Sequence, residues 1–225
     1  VLAIDCEGPK GTGPAFDGVF HYLNLQPVLE LAINRYTDEL CESTGLAVAL
    51  EWFVHHPRYA ELQLISASTA LEHLIVSFVK KHGAPRIVPL ELFEELAAKM
   101  KSVCQEAMRD AEEPRRRAIE RLRNKLAQIN DGSLKDKLES LIETYGVPLA
   151  GLDIKQISDA ITARNLVVHR GLYRSESESE GIQQHVAVLR ELLKRIFLVL
   201  LRYEGEYFSL LTGPQWVHFP PAPQT

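Results

Sequence analysis

Residues 153–171 read DIKQISDAITARNLVVHRG. Asp153 is a residue type that caps helix N-termini and Gly171 one that stops helices, so the stretch predicts one helix running to His169. The same punctuation extends outward in both directions. Upstream, Ser133 stands as a cap for a helix to Tyr145, with Gly146 just beyond. Pro114 starts an arginine-rich helix with a seam of Ile119, Leu122, Leu126 and Ile129, ended by Asp131-Gly132. Pro89 opens another to about Asp110, with Leu92, Phe93, Leu96, Met100 and Val103 on one side. A long segment from about Arg58 to His82 is closed by Gly83, with Lys80, Lys81 and His82 favourably placed against the helix dipole. Leu46 to His55 ends before Pro57, and Gly45 separates it from a helix opened by Pro27 and carried by Val28, Leu29, Leu31, Ala32, Tyr36 and Leu40.

Downstream, residues 174–181 form a low-complexity Ser-Glu loop, and a last helix is expected from about Ile182 to Tyr203 or a little beyond. Residues 1–24 are rich in Gly and Pro around the apolar run Val1 to Ile4. The expected fold is therefore an all-α helical bundle with a short non-helical N-terminal segment. Its expected division is an N-terminal extension at 1–24, a helical domain at 25–211 and an extended Pro-rich tail at 212–225.

The chain has 225 residues, 46% hydrophobic and 24% charged, an ordinary globular composition. A net charge of −5 excludes a uniformly basic nucleic-acid binder but permits a local basic patch. Cys6, Cys41 and Cys104 are widely spaced and odd in number, which suits buried thiols in a reducing cytoplasm better than a disulfide framework or zinc ribbon. The apolar run Ile196 to Leu201 is too short to cross a bilayer, and no signal peptide is expected. A cytoplasmic location without membrane attachment follows as the expectation. The chain begins at Val1 rather than Met, so a fragment of a longer protein is expected.

Within the opening stretch, Arg164 and His169 are separated by four residues, and Asn165 directly follows the Arg. This resembles the R-x(4–6)-H motif of HEPN domains, helical bundles of which many are metal-independent endoribonucleases in toxin and anti-phage systems. The motif's late position and the long helix after it are also similar to that family. Upstream, Ser66-Ala67-Ser68-Thr69-Ala70-Leu71-Glu72-His73-Leu74 resembles the small-residue-then-Leu-Glu segment of the ApeA-like HEPN branch. The resemblance spans about Pro27 to Leu211. It implies a HEPN-like bundle, an RNA substrate, no cofactor, a homodimer, and regulation by an upstream domain or an antitoxin. Non-catalytic HEPN domains also exist, so the alternative is a silent module that binds RNA or a partner protein.

The chemistry of the residues fits. Metal-free RNA cleavage needs a base for the 2′-OH, an acid for the 5′-oxygen and a cation for the phosphorane. An imidazole such as that of His169 serves as acid or base near neutral pH, and Arg164 offers a planar fork that matches phosphate oxygens. Asn165 can bind phosphate or orient His169, or it is an ordinary helix residue. Glu72, amid Ala70, Leu71, Leu74 and Ile75, either pairs with Arg164 or His169 or faces solvent. On a regular helix, Arg164 and His169 point about 140° apart. Either the helix ends near His169 and swings the imidazole back, or two chains pool their pairs across a symmetric interface.

Between Arg115 and Lys125, six cations stand against one acid, Glu120. Arg115, Arg116, Arg117 and Arg121, with Arg170 and Tyr173 near the motif, are the candidate RNA-binding residues. The alternative for the basic stretch, which has no interleaved aromatics, is a solvated helix face paired with neighbouring acids. Rival chemistries fit less well. Asp5-Cys6-Glu7 resembles the D-x-E element of two-metal exonucleases, but Arg190 stands where the later H-x-A-x-x-D element after His185 needs its Asp. No histidine spacing suits zinc, and Gly8 to Gly13 lacks the spacing of a phosphate loop.

Overall fold

The computed structural model describes residues 19–20, 25–55, 57–126, 129–170 and 178–221. Among these the chain forms α1 (Leu25–Arg35), α2 (Asp38–Thr44), α3 (Leu46–Val54), α4 (Ala60–His82), α5 (Leu90–Arg109), α6 (Glu113–Lys125), α7 (Leu134–Tyr145), α8 (Ile154–Arg170) and α9 (Glu178–Leu201). An antiparallel hairpin of β1 (Gly205–Ser209) and β2 (Gln215–Phe219) follows. The fold is thus a mostly helical bundle with a small C-terminal β-hairpin. The N-terminal segment expected to be non-helical lies largely outside the described residues.

Two compact units divide the chain: one built from the described residues up to Phe78 and from Ile142 onward, the other running Val79–Leu141. In the first unit α9 is the axis. Its Ile182, Val186, Val188, Leu189, Leu192, Leu193, Ile196, Phe197 and Leu198 are all buried. Helices α1, α3 and α8 pack against it. Phe53 of α3 meets Phe197 edge-on, and the Arg190 guanidinium lies 4.4 Å from the centre of the Phe53 ring. Helix α8 supplies Ile157, Ala160, Ala163 and Val167, spaced three and four apart and hence on one face. Gly45, at φ 72°, closes α2 and lets the chain run hard against α4; a Cβ there would sit 2.5 Å from the Ser77 hydroxyl.

Helix α4 is long and apolar enough to cross a membrane by length and composition alone, and half of that window is buried within the protein. Its buried face includes Leu64, Ala67, Ala70, Leu71, Leu74, Ile75 and Phe78. Ser66, also buried, is satisfied by donating to the Trp52 carbonyl at 2.7 Å.

Several expectations need correction, among them the seam of the arginine-rich helix, where Leu122 and Ile129 are exposed and α6 already stops at Lys125. The helix opened by Pro27 is two helices, because the Thr37 hydroxyl accepts from the Leu40 amide at 3.2 Å and starts α2 afresh. The last helix stops at Leu201, where Arg202 adopts a left-handed φ of 54°. Beyond it the unforeseen β1 forms, and residues 215–219 of the expected tail are extended but paired with it. Tyr207 and Phe219 turn inward and join Val28, Leu198 and Tyr203 in one cluster. Burying those rings stabilises strands too short to be recognised from their own pattern.

In the second unit α5 packs against α6. Asn130, buried, clamps the neck: its Oδ1 accepts from the Val88 amide at 2.9 Å and its Nδ2 donates to the Val88 carbonyl at 3.0 Å. Two backbone bonds continue the ladder, Ile87 N–H to the Asn130 carbonyl at 3.0 Å and Gly132 N–H to the Pro85 carbonyl at 2.8 Å. Ser133 caps α7 as expected, its hydroxyl accepting from the Asp136 amide while Asp136 accepts from the Ser133 amide at 2.6 Å. The Ser133 hydroxyl, which also donates to the Asp136 carboxylate at 2.7 Å, and then the Ser133 amide hold that carboxyl below the usual carboxylate range.

Candidate active site on helix α8

Asp153 does cap α8, its carboxylate accepting from the Lys155 amide at 2.9 Å. Arg164 follows the buried Ala163 and so emerges at the edge of the face that α8 turns inward. Its guanidinium meets Glu72 of α4, with Nη2 3.0 Å from Oε1 and donating to Oε2 at 3.2 Å. Nη1 donates to the Asn165 side-chain oxygen at 3.1 Å. Nε is buried with no partner. The arginine is therefore held from two directions, and its side chain retains 23% exposure against 37% for Glu72.

His169 is exposed one and a half turns further along. Helix α8 runs through Arg170, one residue past the expected end at His169. Side chains five positions apart on such a helix leave it about 140° apart. Within one chain, then, the structure brings together Arg164, Asn165 and Glu72, while His169 departs in another direction from the same helix. The helical backbone around His169 supplies no turn that would by itself bring the imidazole back toward Arg164.

The basic residues lie elsewhere in the chain. Arg115, Arg116, Arg117 and Arg121 are exposed on α6, in the second unit. The Arg170 side chain and Tyr173 fall outside the described residues. Among the described residues no three His, Cys, Asp or Glu side chains are grouped so as to hold a metal ion.

One polar constellation escaped the reading of the residues. Glu191 and Arg195 of α9 pair at 3.0 Å inside the first unit. Glu191 also accepts from the Tyr207 hydroxyl on the same oxygen and from the Ser209 hydroxyl on the other at 3.0 Å. Arg195 donates to the Pro148 carbonyl at 3.0 Å, and Lys194 to the Phe208 carbonyl at 2.8 Å. Burial, then the bond to Glu191, pushes the Tyr207 phenol well above its ordinary range. The available signal was a Glu and an Arg four apart inside the apolar run of α9, followed by a Tyr. Nearby, burial pushes His185 of α9 below the usual histidine range, opposed by Asp159 of α8.

No protein-family model, curated protein or solved structure matches the chain.

Proposed function

We propose that this chain is a HEPN-type endoribonuclease that cleaves RNA by 2′-OH attack, as a cytoplasmic effector in bacterial anti-phage defence or a toxin system. The observation that carries the reading is the fixed Arg164. Its guanidinium is braced by Glu72 and Asn165 yet still open to solvent at one edge, and an exposed His169 lies on the same helix. Arg164 and Asn165 take the scissile phosphate. The His169 imidazole accepts the 2′-OH proton as the P–O2′ bond forms, and an imidazolium returns a proton to the 5′-oxygen as the P–O5′ bond breaks. The products are a 2′,3′-cyclic phosphate and a 5′-hydroxyl. Because Arg164 and His169 diverge on α8, the working site is shared across a homodimer, one chain's imidazole completing the other's arginine. An upstream domain or an antitoxin controls it.

A second reading has one observation in its favour: both terminal nitrogens of Arg164 are already engaged within the chain. A silent module that binds RNA or a partner protein would hold the arginine in this way. RNA cleavage in EDTA by wild type, Arg164→Ala and His169→Ala separates the two. The nuclease reading expects cleavage by wild type and a loss of about 10²–10⁴-fold in His169→Ala. Unchanged activity in His169→Ala sinks it, and no cleavage by any form selects the binding module.

A further inference from the structure

Helix α6 carries six Arg and Lys against two Glu, a net +4 in a chain whose total is −5. Its inner seam is Ile119, half-buried, and the buried Leu126 that follows it. Arg117, Arg121 and Lys125 recur every fourth residue on the side away from Ile119, which makes a row of cations about 6 Å apart. All three are exposed. Among the described residues the one ion pair on α6 joins Arg117 to Glu113, with 74% and 67% of the two side chains exposed, so it offers an anion little competition.

This placement works against the helix itself. Like charges four apart repel along its surface, and Arg115 and Arg116 in the first turn oppose the helix dipole. A polyanion laid along the row reverses the first penalty. The spacing suits consecutive phosphates of one nucleic-acid strand. A membrane surface fits poorly, because Leu122 is the one large exposed hydrophobic on α6 among the described residues, too little for an inserted face. No aromatic residue is interleaved for base stacking.

We infer that α6 is a sequence-independent binding surface for the backbone of single-stranded RNA, with Arg117, Arg121 and Lys125 as its phosphate contacts. The choice of RNA rests on the nuclease reading; the row of charge does not. Arg115 and Arg116 flank the inner seam and stand outside the row.

The test uses the full chain carrying His169→Ala, so that RNA survives, and follows the anisotropy of labelled single-stranded RNA against salt. Neutralising the row (Arg117→Gln, Arg121→Gln, Lys125→Gln) is expected to weaken binding on the order of tenfold at low salt. The slope of log affinity against log salt should shrink by about 2, equally for oligo-U and mixed sequence. Glutamine keeps helix propensity, and circular dichroism checks the fold. The matched change on α5 (Lys99→Gln, Lys101→Gln, Arg109→Gln) should alter affinity less than twofold. Equal losses in both triples, an unchanged salt slope in the α6 triple, or binding to phosphatidylserine vesicles in place of RNA overturns the inference. A chain with His169 intact that binds through α6 yet leaves RNA whole in EDTA sinks the nuclease reading alone. Cleavage at limiting RNA unaffected by the α6 triple sinks this one alone.

Discussion

Two glutamate–arginine pairs occupy the first unit at the same separation, 3.0 Å, and differ in almost everything else. Glu191 and Arg195 keep 1% and 5% of their side chains exposed, and both carboxylate oxygens of Glu191 are filled by neighbours. Glu72 and Arg164 keep 37% and 23%, and one guanidinium nitrogen has no partner. A sealed pair has no capacity left for a ligand, so its contribution is to architecture: it pins the hairpin to α9. The open pair is reached by solvent, although its unpartnered Nε is itself buried. Distance alone would have ranked them equal; solvent access separates the structural pair from the candidate site.

The largest test of that contrast removes one carboxylate at a time. Glu191→Ala leaves a buried guanidinium, a phenol and a hydroxyl without their acceptor, and should cost about 3–5 kcal/mol in chemical denaturation. Replacing both Glu191 and Arg195 by Met should recover much of it. Asn130→Ala, which orphans the Val88 amide and carbonyl at the neck of the second unit, should cost about 1–3 kcal/mol. Glu72→Ala is expected to cost no more than about 1 kcal/mol, because half-open pairs are screened by water. A Glu72→Ala loss as large as that of Glu191→Ala would erase the distinction between the pairs.

The smallest effects are pH-dependent. His185 titrates lower in the fold than in the unfolded chain, so the unfolded state binds more protons between those two values. Stability should therefore fall as pH drops below the ordinary histidine range, and His185→Gln should flatten that limb of a stability–pH curve. Asp136 is also lowered, so its support of the α7 cap is lost only as pH falls through its depressed value.

Local chemistry made most of the helices legible. Gly45, Pro57, Gly83, Pro89, Pro114, Ser133 and Asp153 act within a turn of their own position, and the boundaries they imply match the helices closely. What failed was tertiary. The hairpin exists because Tyr207 and Phe219 find a core and Ser209 finds Glu191, none of which is encoded in strand length. Glu72 and Arg164 stand 92 positions apart, and their residue types allowed a pair without requiring it. The heading of His169 depended on whether α8 unwinds before it, which the adjacent Gly171 could not decide.

Within the second unit the chain closes on itself at one place. Where Pro85 to Val88 and Asn130 to Gly132 lie side by side, the excursion of α5 and α6 leaves and returns across the width of a single ladder. Because both ends are held there, a change of length between Val88 and Asn130 costs little loop-closure entropy.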